Sequence, residues 1–130
     1  MNMKSKGQNP MIQEILAQVL ERLKSYNPEK VILFGSLAEA KAHEDSDLDL
    51  LIIKDTTAPP LQRMREAIRL CRGKPPMTTI GIDCLVYTPS EVEERLRLGD
   101  PFITRIIARG KVIYEREQSI SGRRMVQESK

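Results

Sequence analysis

Leu33-Phe34-Gly35-Ser36, followed eleven residues on by Asp47-Leu48-Asp49-Leu50-Leu51-Ile52-Ile53, is the stretch that decides the fold. Val31 to Phe34 is a short apolar run closed by a glycine-serine pair, which predicts a buried strand ending in a turn. The second run is nearly all apolar beyond its aspartates and predicts a strand in the interior of a sheet. Side chains alternate along a strand, so Asp47 and Asp49 project to one face and Leu48 and Leu50 to the other. Two anions on one side of an otherwise greasy strand are costly unless a cation or a hydrogen-bonding shell offsets them. Donors that are all oxygen favour a hard ion such as magnesium, which keeps waters and takes further oxygens from phosphates.

A third acid, Asp83, sits in Ile80-Gly81-Ile82-Asp83-Cys84-Leu85-Val86, part of a strand predicted over Ile80 to Tyr87. If that strand lies beside the first acidic one, three carboxylates converge. Three acids around two metal ions suit in-line phosphoryl or nucleotidyl displacement. Gly35-Ser36, after a strand, offers backbone N–H groups to a phosphate. The glycine lets a triphosphate come close to the backbone, and the Ser36 hydroxyl adds a donor.

The remaining elements are ordered around this centre. Ile12, Ile15, Leu16, Val19, Leu20 and Leu23 recur at helical spacing, which predicts an amphipathic helix from Met11 or Ile12 to Tyr26, stopped by Asn27-Pro28. Leu61 to Arg72 predicts a second helix, ended by Gly73 and Pro75-Pro76. Thr88-Pro89-Ser90-Glu91 supplies an N-cap threonine, a proline at the first helical position and a glutamate three after the cap, so a third helix starts there. Gly99-Asp100-Pro101 breaks it and opens a fourth, with Phe102, Ile103, Ile106 and Ile107 as its apolar face. Gly110 ends that helix, and Val112-Ile113-Tyr114 adds a last strand. The expectation is an α/β domain over residues 11–115: a mixed β-sheet of three to four strands with helices packed mainly on one side. Residues 1–10 are expected to be a flexible N-terminus and 116–130 a polar tail.

Composition narrows the function. The chain has 130 residues, 40% hydrophobic and 30% charged, as in an ordinary globular domain. With no Trp, two Phe and three Tyr it lacks the aromatic platforms of a dedicated single-strand nucleic-acid binder. Two cysteines, Cys71 and Cys84, exclude a disulfide framework and a four-cysteine zinc site, and a reduced, cytoplasmic setting is the default. Leu50 to Ile53 is the longest apolar run, so neither export nor membrane anchoring is expected. Residues 1–60 carry 7 Lys or Arg against 9 Asp or Glu, and residues 61–130 carry 14 against 9. That asymmetry suits an anionic ligand or partner near the C-terminal half, and equally a set of solvated helix faces rich in arginine. Cys71 and Cys84 read as small apolar packing residues, Met64 and Met77 as core filler, His43 as a surface residue, and Arg63, Arg65, Arg69 and Arg72 as a solvated helix face.

Gly35-Ser36, Ser46-Asp47-Leu48-Asp49-Leu50 and Asp83 together resemble the DNA polymerase beta-like nucleotidyltransferase superfamily. More closely, the chain is similar to the minimal nucleotidyltransferases, small stand-alone domains often paired, as antitoxin, with a helical HEPN toxin. The resemblance spans roughly residues 11–115 and includes the closing pattern Gly110-Lys111-Val112-Ile113-Tyr114-Glu115. It implies that Asp47 and Asp49 bind two magnesium ions, that Asp83 binds one and helps activate the acceptor hydroxyl, and that Gly35 and Ser36 hold the triphosphate. It also implies transfer of AMP from ATP to a tyrosine of the HEPN-type partner. Many relatives carry two arginines and a glycine after the glycine-serine pair, where this chain has Leu37, Glu39 and Ala40; Lys41 and Lys54 are the cations left to substitute. Two other readings stay open: an antitoxin that neutralises its partner by contact alone, and a small-molecule nucleotidyltransferase acting as a dimer; a homo-oligomer is among the expected partners.

Overall fold

The computed structural model describes residues 10–38, 47–73 and 80–116. The expected flexible N-terminus, Glu39, Ala40, Lys41, His43, Met77 and the tail from Glu117 on lie outside the described residues, apart from Pro10 and Arg116 at their margins. Helix α1 spans Pro10–Leu23 and tightens into a 3-10 turn over Lys24–Tyr26. Asn27 ends it in the left-handed conformation at φ 59°, a conformation asparagine tolerates better than most residues. Strand β1 is Lys30–Phe34 and β2 is Leu48–Ile53, so Asp47 stands one residue before the strand rather than within it. Helix α2 covers Pro60–Arg72, β3 Ile82–Tyr87, α3 Pro89–Arg97, α4 Pro101–Arg109 and β4 Lys111–Glu115.

The four strands form one mixed sheet in the order β3-β2-β1-β4. β1 runs antiparallel to both β2 and β4, and β2 runs parallel to β3. The expected interior position of β2 follows from its composition: Leu48, Leu50, Leu51 and Ile52 are fully buried. A parallel neighbour needs a crossover, and α2 supplies it between β2 and β3.

Both faces of the sheet are covered. Leu48, Leu50 and Ile52 of β2, with Val31, Leu33, Cys84 and Val86, pack against Val19 and Leu23 of α1 and Ala67 and Cys71 of α2. Leu51 and Ile53, with Ile32, pack instead against Val92 of α3 and Ile103 and Ile106 of α4. The two long helices share one face and the two nine-residue helices close the other, so the helices cover both sides where packing mainly on one was expected. The apolar face expected for α4 is split: Ile103 and Ile106 are buried, whereas Phe102 and Ile107 are exposed.

Local chemistry fixes the ends of the short helices. At Thr88 the hydroxyl accepts from Glu91 N (3.1 Å) while the Glu91 carboxylate accepts from Thr88 N (2.8 Å), the expected capping box. Asp100 Oδ1 caps α4 by accepting from Phe102 N and Ile103 N at 2.9 and 3.2 Å. Those bonds, with that from Arg95, hold its carboxyl below the usual carboxylate range.

Candidate active site

Parallel pairing sets Asp49 directly beside Asp83, with Leu48 opposite Ile82 and Leu50 opposite Cys84. Neighbouring strands lie about 4.8 Å apart, and residues in register on parallel strands project to the same face. Asp49 and Asp83 therefore share the face that also carries Leu51, Ile53 and Leu85. Asp47, two residues before Asp49, is exposed at the mouth of β2, where Leu48 N donates to Gly81 O (2.8 Å). The condition on which convergence depended, adjacency of the two acidic strands, holds in the fold.

The two glycines around the acids are there for space. Gly35 has φ +81°, and a Cβ on it would collide with Asp49 Oδ2. A Cβ on Gly81 would collide with the Asp47 carboxylate in the same way. Asp49 thus leans toward the turn after β1, and Asp47 toward the entry of β3. In this splayed arrangement, no three Asp, Glu, His or Cys side chains among the described residues are grouped closely enough to hold a metal ion. The charges nevertheless act on one another. Burial pushes the Asp49 carboxyl above the usual carboxylate range, and the neighbouring charges of Asp83 and then Asp47 push it the same way. A cation at this position would relieve both effects, and the donor set is all carboxylate oxygen, which suits a hard divalent ion.

Phe34 lies in register with Asp49, and the chain turns immediately after it, Ala38 N donating to Gly35 O at 3.1 Å. The turn opens into a cleft of about 390 Å³ bounded by Phe34, Gly35 and Ser36 on one side and by Phe102, Arg105 and Arg109 of α4 on the other. The Phe34 and Phe102 rings meet edge to face with centroids 5.9 Å apart. A second cavity, about 440 Å³, lies along β3 between α2 and α3 and is lined by none of the three aspartates nor by the Gly35-Ser36 turn.

Other candidates fall away from the site. Lys54, at the far end of β2, donates to Tyr26 O (2.6 Å) and stacks over the Tyr26 ring at 4.5 Å. Leu37, where relatives carry an arginine, is buried in the core with Ala38. Arg63, expected on a solvated face, is buried: it donates to Ala58 O and Val86 O and pairs with Glu91 at 2.8 Å. Cys71 and Cys84 are buried as expected, with sulfurs 3.8 Å apart. Their contact and burial raise the Cys84 thiol far above its usual range, so it stays protonated and packs as a small apolar residue. Arg105 and Arg109 went unnoticed in the sequence; their signal is spacing, since Phe102, Arg105, Ile106 and Arg109 form one helical stripe.

Among the described residues no helix is long and apolar enough to cross a membrane. A comparison with curated proteins gave no match. Among solved structures, the crystal structure of a candidate nucleotidyltransferase from Sulfolobus solfataricus is similar at 21% identity and a TM-score of 0.60, over 91% of this chain and 95% of that one. This likeness supports the fold. The sequence profile of the family described as polymerase beta, nucleotidyltransferase, matches residues 14–119, a span that takes in the Gly35-Ser36 turn and all three aspartates. The chain belongs to the polymerase beta nucleotidyltransferase family.

Proposed function

We propose that this protein transfers AMP from ATP to a tyrosine hydroxyl of a HEPN-type partner protein and acts as the antitoxin of that pair. The observation that carries the nucleotidyl-transfer reading is the register of Asp49 against Asp83, two residues on from Asp47 and one strand from the Gly35-Ser36 turn. Asp47, Asp49 and Asp83 would hold magnesium, which when bound neutralises charge on the attacking and leaving oxygens. Gly35, whose missing Cβ makes room for the Asp49 carboxylate at the turn, and Ser36 bind the triphosphate and align its α-phosphorus. Asp83, exposed on β3, takes the proton of the acceptor hydroxyl. The hydroxyl oxygen then bonds to the α-phosphorus as the bond to the pyrophosphate oxygen breaks, leaving a phosphodiester on the acceptor and free pyrophosphate.

The protein partner is supported by what surrounds the site. The three aspartates sit at the open end of the β2–β3 pair rather than inside the 390 Å³ cleft, a position a bulky acceptor can reach. The test is incubation of the purified chain with α-labelled ATP, magnesium and the product of the neighbouring gene. Label on a partner tyrosine that is lost in Asp47→Asn and Asp49→Asn is the expected result. Neutralisation of the partner that survives both substitutions would instead assign the protein to binding by contact.

A further inference from the structure

Nucleotide binding at the Gly35-Ser36 turn requires cations for a strongly negative triphosphate, and the turn itself supplies none among the described residues: Leu37 and Ala38 are buried in the core. Lys54 is held at the other end of β2 by Tyr26. The wall of the cleft facing the turn is different. Arg105 and Arg109 lie one helical turn apart on α4, and both line the cleft together with Gly35 and Ser36. Ile106, between them and 3% exposed, anchors this stripe against Ile32 and Leu51, so the two guanidiniums project from a fixed helix and not from a loop. α4 covers the face of the sheet on which Asp49 and Asp83 stand.

Among the described residues these arginines, unlike several others, have no acidic partner. Arg63 pairs with Glu91, Arg95 with Asp100, Arg97 with Glu94 and Arg116 with Glu29. Neither Arg105 nor Arg109 has a carboxylate or carbonyl partner among the described residues, and both are exposed. Like charges on adjacent turns of one helix repel, so the pair costs helix stability unless an anion lies between them. A guanidinium fork matches two phosphate oxygens at once.

We infer that Arg105 and Arg109 bind the β- and γ-phosphates of the nucleoside triphosphate, supplying cations that Leu37 and Ala38, the described residues after Ser36, do not. This rests on the nucleotidyltransferase reading and assigns the phosphate grip to a helix on the opposite wall from the glycine-serine turn. As the pyrophosphate leaves, the same two cations hold its developing charge.

The test is calorimetric titration of inorganic tripolyphosphate, and separately of magnesium-ATP, into the full chain and its variants. Each of Arg105→Ala and Arg109→Ala should weaken binding of both ligands about ten-fold, the effect of one charge-assisted contact. The double variant should lose more than either, and Arg105→Lys with Arg109→Lys should recover part of the loss, since lysine keeps the charge but not the fork. Arg65→Ala, an exposed arginine on α2 across the sheet, is the control for net charge and should bind as the unsubstituted chain does. Unchanged affinity in a folded double variant, in a protein whose magnesium-ATP binding is lost on Asp49→Asn, overturns this inference and leaves the reaction intact. A parent chain that binds neither ligand overturns both.

Discussion

Asp49 is under conflicting demands from burial and from neighbouring charge. It occupies a half-buried position on a strand whose next four residues are buried, beside Asp83 and two residues from Asp47, and its ionised form is disfavoured by burial first and by those two charges next. A carboxyl whose folded-state value is raised destabilises the fold at neutral pH, where it must ionise, and the destabilisation fades as pH falls through that raised value. Asp49→Asn should therefore abolish nucleotidyl transfer and, with no metal added, raise the melting temperature by roughly 2–5 °C. A variant that melts lower would show that the carboxylate is paired in a way these contacts do not reveal. Gly35 faces the same carboxylate from the other side. At φ +81° a side chain is strained, and a Cβ would displace Asp49, so Gly35→Ala should cost about 1–3 kcal/mol and lower activity beyond what the loss of stability explains. Chemical denaturation separates the two effects.

Between elements, the joint that matters most is Arg63 of α2 with Glu91 of α3. The pair spans the end of β3: Arg63 is buried, while Glu91 remains 42% exposed and also closes the Thr88 capping box. The hydrogen bond from Arg63 depresses the Glu91 carboxyl below its ordinary 4.5, with the bonds at Thr88 acting the same way. A depressed folded-state value means the stabilisation is complete above about pH 4.5 and is lost as pH falls through the lower folded value. Glu91→Ala should cost about 1–2 kcal/mol at pH 7, from the lost cap and the lost partner, and flatten the acid limb of the stability curve. Arg63→Ala should cost more, because it also empties buried volume and strands Ala58 O and Val86 O.

Thr88-Pro89-Ser90-Glu91 was readable in the sequence because all its chemistry lies within one helical turn. Arg63 was not, because Arg63, Arg65, Arg69 and Arg72 look alike along the helix and only the approach of α3 singles out the first. The outward half of α4 was hidden for a related reason. An apolar periodicity marks which residues avoid water, not whether a core or a cleft receives them, so Phe102 and Ile107 read like Ile103 and Ile106. Asp47 and Asp49 announced themselves by alternation on an apolar strand. Their meeting with Asp83 depends on pairing across the α2 crossover, which local pattern can suggest but only the fold can set.

For the whole molecule, β2 is the member on which both layers depend. Its even-numbered residues feed the α1–α2 core and Leu51 and Ile53 the α3–α4 core, so one strand transmits damage to both faces. Leu51→Ala, at a fully buried position, should cost about 2–5 kcal/mol and unfold the chain in a single transition seen equally by far-ultraviolet dichroism and by tyrosine fluorescence. Two separated transitions would mean that the faces fold independently.

A ligand that binds only the folded chain raises its stability in proportion to the logarithm of its concentration over its dissociation constant. The most direct measurement is the melting temperature of the parent chain and of Asp49→Asn, each alone and with saturating magnesium and ATP. The parent should melt lower than the variant when alone and rise on adding the pair of ligands, while the variant gains nothing. An equal rise in both proteins, or none in the parent, would contradict a cation-dependent nucleotide site built on these aspartates.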